Sequence, residues 1–209
     1  MKKVTLMTAA LILMAPLSAV AEGGGGFEYI GNAGSDGIPA LARLLSGEEW
    51  LNVSSGSIAG FGGFGYGVSY YKFKIGGFGF GFLSGGISKV LPIYDVELLG
   101  LAGGFGGLIL GPQASAGPIV LALNTRFGAG GISVRQRSHP PSDKLTDYSI
   151  GTAALYGNID AEAGLTINRI MLISVYAGVS GIFAFTFSDP PVLPLLVPNF
   201  GVRFTWGSF

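Results

Sequence analysis

The chain has 209 residues, enough for one domain with a sizeable core. Lys+Arg and Asp+Glu are balanced at 12 each and no basic run occurs, so nucleic acid is not an expected partner. Cys is absent, which excludes a disulfide framework and thiolate metal sites, and 49% hydrophobic residues alongside 37 aperiodic Gly exclude a disordered linker or a collagen-like chain.

Met1–Ala21 reads as a cleavable export signal. Lys2 and Lys3 form its charged start, Val4–Ala15 its apolar stretch, and Ala19-Val20-Ala21 a small-x-small cleavage site. The mature chain is then expected to begin at Glu22. No later apolar run is long enough to predict a membrane-spanning helix. Residues 22–55 read as a Gly-rich lead-in around a short strand, Phe27–Ile30, followed by one predicted helix, Ile38–Ser46. Asp36 caps that helix, Pro39 suits its first turn, and Gly47 ends it. Residues 56–209 then form the main domain.

Gly56–Gly107 alternates glycine with aromatic residues, as in Gly60-Phe61-Gly62-Gly63-Phe64-Gly65-Tyr66-Gly67 and Gly76-Gly77-Phe78-Gly79-Phe80-Gly81-Phe82. In a strand this places rings on one face and bare backbone on the other, because side chains alternate with a period of two. The apolar parity changes at Gly76-Gly77, which predicts a bulge or tight turn there. Phe64, Phe78 and Phe105 are expected to meet as one layer, with glycine backbone accepting the rings of neighbouring strands. Leu108–Pro118 reads as a loop and Gly128–Gly131 as a turn between Ile119–Phe127 and Ile132–Arg137.

The last third alternates most cleanly. Ile159, Ala161, Ala163, Leu165 and Ile167 stand opposite Asp160, Glu162, Gly164 and Thr166. Asn168-Arg169 fits a two-residue hairpin turn. Met171, Ile173, Val175, Ala177, Val179, Phe183, Phe185 and Phe187 then share one face, and Phe200, Val202, Phe204 and Trp206 oppose Gly201, Arg203, Thr205 and Gly207.

About eight strands result, several longer than the usual 5–6 residues. Long strands with one apolar and one polar or small face predict an all-β, antiparallel up-and-down barrel that crosses a bilayer. The alternative is a soluble β-sandwich or roll whose apolar face is the core and which binds an apolar ligand or self-associates. The facing of the odd-numbered residues of Met171–Phe187 discriminates between them: outward for a membrane barrel, inward for a soluble core.

The export signal, the alternating strands and the final strand Phe200–Phe209 together resemble the small outer-membrane β-barrel proteins of bacteria. The resemblance implies an outer-membrane location and a structural, permeability or surface-interaction role; catalysis is not expected, with a barrel hydrolase using His139 as the remaining alternative. Its implied partners are outer-membrane lipid and the barrel-insertion machinery, which reads a C-terminal signal here carried by Phe204, Trp206 and Phe209. Phe209 is off parity with the other two, so a bulge is expected near the end of the last strand.

Candidate chemistry is sparse, and no cofactor or metal is expected. Gly60-x-Gly62-x-x-Gly65 spells a dinucleotide fingerprint, but it continues as a strand where a helix is required, so nucleotide is not an expected ligand. His139, the one histidine, could be combined with Ser138, Ser142 or Asp143 in a hydrolase-like site, but all lie in one Pro-rich loop where a triad is hard to orient. Asp160 and Glu162 share a face and could serve as acid and base. Inside a barrel they are more simply lumen charges, balanced by Arg126, Arg169 or Arg203. Lys72 and Lys74 mark a polar face or a protected edge.

Overall fold

The computed structural model describes residues 22–32, 58–69, 72–84, 96–138, 146–185 and 192–209. They form eight strands: β1 Glu22–Asn32, β2 Ile58–Val68, β3 Phe73–Ser84, β4 Val96–Ala116, β5 Ile119–Ser138, β6 Thr146–Ile167, β7 Met171–Phe185 and β8 Val192–Ser208. Each pairs antiparallel with the next, and β8 returns to pair with β1, closing an all-β barrel. Closure rules out the sandwich, because a single sheet that curls back on itself leaves no second sheet to pack face to face against it. The predicted signal Met1–Ala21 and helix Ile38–Ser46 lie outside the described residues.

The short connections all fall at one rim. Ser69 and Lys72 bracket the β2–β3 turn, where the Lys72 amide donates to Ser69 O at 2.9 Å. Gly117 and Pro118 join β4 to β5, with Gly117 at φ 60°. The β6–β7 turn has Asn168 and Arg169 at φ 53° and 58° and an Ile170 amide bonded to Ile167 O at 3.2 Å. The predicted turn is therefore present, with Ile170 included in it. Both ends of the barrel sequence, Glu22 and Ser208, sit at this same rim, beside Val68 and Gly23 respectively.

Several sequence expectations are corrected. Glu22–Asn32 is a barrel strand, not a lead-in, so the domain begins before residue 56. Its glycines are structural. A Cβ on Gly24 or Gly26 would run into the carbonyl oxygens of Trp206 or Phe204 on β8. Bare backbone is what lets β1 sit close enough to close the ring. Leu108–Pro118 is not a loop, because β4 runs to Ala116 and turns only at Gly117-Pro118. Gly128–Gly131 is the interior of β5, paired without interruption to β4 and β6. No bulge interrupts β3 at Gly76-Gly77, where the register on both sides is continuous.

The change of parity in β3 is instead a change of what faces the lumen. Lys74, Gly76, Phe78, Phe80 and Phe82 all point inward, whereas Phe73, Ile75, Gly77, Gly79, Gly81 and Leu83 point outward. Near the turn rim an apolar residue therefore faces out and a lysine in; further along, rings face in and glycine out. Adjacent strands repeat this, with Phe64 and Tyr66 inward from β2 and Phe105 inward from β4. Phe64 and Phe78 are direct cross-strand partners, and Phe105 pairs with Phe80, so the three centres do form one buried cluster.

From β5 to β8 the facing is the other way round. Leu123, Ile159 and Val175 on the outer wall are 48%, 59% and 59% exposed, while Asn124, Asp160 and Ser174 beside them in sequence order are buried. The odd-numbered apolar face of β7 points outward.

Candidate functional site

The lumen has two layers, set by which inward residues each strand contributes. The layer nearer the turn rim is charged. Glu28 enters from β1, Lys74 from β3, Asn124 and Arg126 from β5, Asp160 and Glu162 from β6, Ser174 from β7 and Arg203 from β8. All are buried, so each charge must find its partner within the layer or remain uncompensated in a poorly polarisable interior.

They do find partners. Arg126 holds Glu28 in a fork, with Nη1–Oε1 at 2.6 Å and Nη2–Oε2 at 2.7 Å. Planar guanidinium and carboxylate match in this geometry, the strongest form of such a pair. Arg203 is shared among three carboxylates. Its Nε donates to Glu28 Oε2 at 3.0 Å, Nη2 to Asp160 Oδ2 at 2.9 Å, and Nη1 to Glu162 Oε2 at 2.7 Å. The Arg203 guanidinium also lies 3.7 Å from the centre of the Tyr176 ring, which covers its open face. Lys74 Nζ reaches Glu162 Oε2 at 3.2 Å and stands 4.3 Å from the Tyr66 ring centre. Ser174 Oγ and Asn124 Nδ2 donate the remaining bonds to Glu162, at 2.6 and 2.8 Å.

Three cations thus meet three anions, contributed by β1, β3, β5, β6 and β8. The predicted lumen charges Asp160, Glu162, Arg126 and Arg203 are brought together here. Arg169, the other predicted counter-charge, is exposed in the β6–β7 turn. Lys74, read as an edge or polar-face marker, is a buried member. Glu28 escapes the sequence reading because Gly23–Gly26 makes the start of β1 read as a lead-in. The only signal for it is that Phe27 and Tyr29 stand on the opposite parity. Asp160 and Glu162 accept bonds from Arg203 and Asn124. Each oxygen of the two carboxylates accepts at least one hydrogen bond, and both side chains are buried.

The layer towards the long connections is aromatic. Phe78, Phe80, Phe82, Phe105 and Tyr156 pack with ring centres 5.0 to 6.5 Å apart. Between the layers lies a small polar group, in which Tyr156 Oη, Asn158 Nδ2 and Asn199 Nδ2 all reach Ser180 Oγ. Side chains therefore occupy both halves of the lumen.

On the outer wall at the turn rim, Phe27 packs against Phe204 and Trp206, at 5.8 and 5.1 Å between ring centres. Phe204 and Trp206 face outward together, whereas Phe209 turns inward and packs against the buried cluster, its amide donating to Arg169 O at 3.3 Å. The expected bulge is absent: β8 keeps register with both neighbours, and the parity difference is an inward turn of the last residue. His139, Ser142 and Asp143 lie outside the described residues.

No known protein family matches the chain, and no curated protein matches it in sequence. Among solved structures, it is similar to Ail, the attachment invasion locus protein of Yersinia pestis, at 10% identity and a TM-score of 0.46, over 89% of this chain and 96% of that one. It is also similar to the same protein in complex with the heparin analogue sucrose octasulfate, at 12% identity and a TM-score of 0.45, with the same coverage. The eight-strand closure stands on this chain's own hydrogen-bonded register.

Proposed function

We propose that this is a non-catalytic outer-membrane protein, anchored by a sealed barrel, whose work is surface interaction at the end of the long connections. The observation that carries the reading is the outward aliphatic wall. Leu121, Leu123, Ile159, Leu165, Val175 and Val179 are exposed side by side on β5, β6 and β7 while ions are buried inside. Water would favour the reverse arrangement, and hydrocarbon favours this one. Every strand has at least the 9–11 residues that a tilted crossing needs. In such barrels short turns face the periplasm, so the opposite rim, where β4, β5 and β6 extend furthest, is the one that would face out of the cell.

A permeability role is disfavoured by a lumen filled from both ends. Interaction is favoured by a projection. Beyond the last β3 and β7 pairings, β4, β5 and β6 continue together as a three-stranded sheet. Among the described residues, Val96–Gly100 of β4 and Thr146–Gly151 of β6 pair with a strand on one side only. Such edges accept an added strand through backbone hydrogen bonds. The partner class is therefore an extended peptide segment.

Fractionation tests the anchoring: the protein should sediment with the outer membrane and migrate faster on a gel unheated than boiled. Recovery as a soluble periplasmic monomer would overturn it. Planar bilayers test the sealed lumen: refolded protein should give no steady ion conductance, and a stable conductance would restore the permeability role.

A further inference from the structure

The outer wall of β2 to β4 carries more glycine than the barrel's own packing requires. Gly63, Gly65, Gly79, Gly81 and Gly106 all stand on the outward parity and are exposed. At each of them an added Cβ would meet nothing nearer than a backbone oxygen 3.5 to 4.0 Å away, an ordinary contact. None of the five has a positive φ. Inward glycines differ: a Cβ on Gly62 would collide with Phe80, and one on Gly76 with Tyr66. Glycine weakens a strand, so its use where a side chain would fit calls for a cause outside the barrel.

The strands are staggered, because Glu22 and Asn32 lie at the two ends of a single row of paired residues that circles the barrel. A line parallel to the barrel axis therefore climbs about two residues for each strand it crosses. Along such lines the outer wall sorts into columns. Trp206, Phe27, Phe61 and Leu83 form one column, 45%, 53%, 70% and 69% exposed, with the Phe27 and Trp206 rings 5.1 Å apart. The next two columns are bare, Gly25, Gly63 and Gly81, then Gly65, Gly79 and Gly104. Beyond Gly77 and Gly106 the wall rises again at Ile75 and Leu108. A ridge one side chain high thus runs beside a groove floored with backbone, both along the barrel axis and at the same height.

We propose that this face is the contact between two copies of the chain in the membrane. The inference rests on the reading of the outer wall as lipid-facing. Copies then insert with the same rim outward, so a closed pair is related by a two-fold axis parallel to the barrel axis. A half-turn about that axis lays the ridge of each copy in the groove of the other, because ridge and groove stand side by side. Phe61 of one copy comes level with Gly79 of the other. The face is therefore complementary to itself. Ridge and groove together measure about 20 Å across and about 25 Å along the apolar band, which gives about 1,000 Å² for the pair, the lower bound of a specific interface. Acyl chains fill any relief equally well. Between two rigid apolar surfaces in lipid the attraction rests on closeness of approach, which bare backbone permits.

The test uses the full barrel refolded into lipid vesicles, labelled with donor or acceptor dye through Ile170→Cys in the exposed β6–β7 turn, the chain having no other thiol. Flotation with the vesicles establishes insertion, and energy transfer between copies measures association. The expected result is transfer that saturates at a one-to-one pair as protein is added. Gly79→Leu, which fills the groove, and Phe61→Ala, which lowers the ridge, should each weaken pairing about thirtyfold, the value of a residue central to an interface. Ala163→Leu, on the outer wall of β6, should leave pairing unchanged. Protein that floats but transfers no more than random mixing predicts would overturn the proposal, as would full pairing in both variants. Protein that does not float would overturn the lipid-facing wall itself, and the proposal with it. Phe61→Ala adds no bulk, so it decides the matter even where Gly79→Leu fails to fold.

Discussion

Arg126 on β5 and Glu28 on β1 meet across the lumen through two parallel hydrogen bonds, of 2.6 and 2.7 Å. The strands that carry them are not neighbours in the sheet. The pair is therefore a strut across the ring, and it ties the first strand to a strand formed much later in the chain.

Removing one side of this strut leaves a buried charge without its partner. Glu28→Gln is expected to cost about 3–5 kcal/mol, the usual penalty for breaking one side of a buried pair. Removing both sides with Glu28→Gln and Arg126→Met should cost less than the sum of the single changes. Urea unfolding in lipid vesicles, followed by tryptophan fluorescence, measures both. Strict additivity would mean that the two residues are not coupled.

The outer wall predicts an asymmetry between solvents. Val179 is 49% exposed on β7. Facing lipid, Val179→Arg should cost about 2–4 kcal/mol near the bilayer centre. Facing water, the same change would stay within about 0.5 kcal/mol. The stability difference in lipid vesicles reports which of the two surrounds the wall.

Glycine positions separate into those that hold strands together and those that do not. A Cβ on Gly201 would meet Tyr29 O and stand 2.6 Å from the Tyr176 ring that stacks on Arg203. Gly157 has nothing within 4 Å of the same point. Gly201→Ala should therefore destabilise by about 1–3 kcal/mol through overpacking. Gly157→Ala should be neutral or stabilise by up to about 1 kcal/mol, through the unfolded chain. Thermal unfolding of the two variants side by side checks this.

The projecting sheet predicts a pattern in hydrogen exchange. Along Thr146–Gly151 every second amide should exchange rapidly, since β6 there pairs with β5 alone. Amides of Asn158–Glu162, paired on both sides, should exchange only on global opening. Uniform protection of Thr146–Gly151 in the isolated protein would show its edge already covered.

Much of the candidate site is legible in the amino-acid sequence. Asp160 and Glu162 on one parity of a strand, Arg126 opposite Leu121 and Leu123, and Arg203 opposite Val202 and Phe204 all announce a polar face, because period-two alternation groups side chains by face. Glu28 and Lys74 are not legible in the same way. Glu28 follows Gly23–Gly26, which have no side chain to extend the parity marked by Phe27 and Tyr29, and Lys74 stands beside a stretch where the apolar residues cross to the other face.

Alternation determined from the sequence alone which residues share a face, and with it the polar set and the aliphatic set of β5 to β8. Only the tertiary structure decided which face is inside. A period of two is symmetric between the two sides of a sheet, so Phe64, Phe78 and Phe105 could have lined the outer wall as well as Val175 and Ile159 do. Closure of β1 onto β8 broke that symmetry: it gave the sheet a concave side, where inward rings and ion pairs must fit one another, and a convex side, where glycine backbone and aliphatic chains are left facing out.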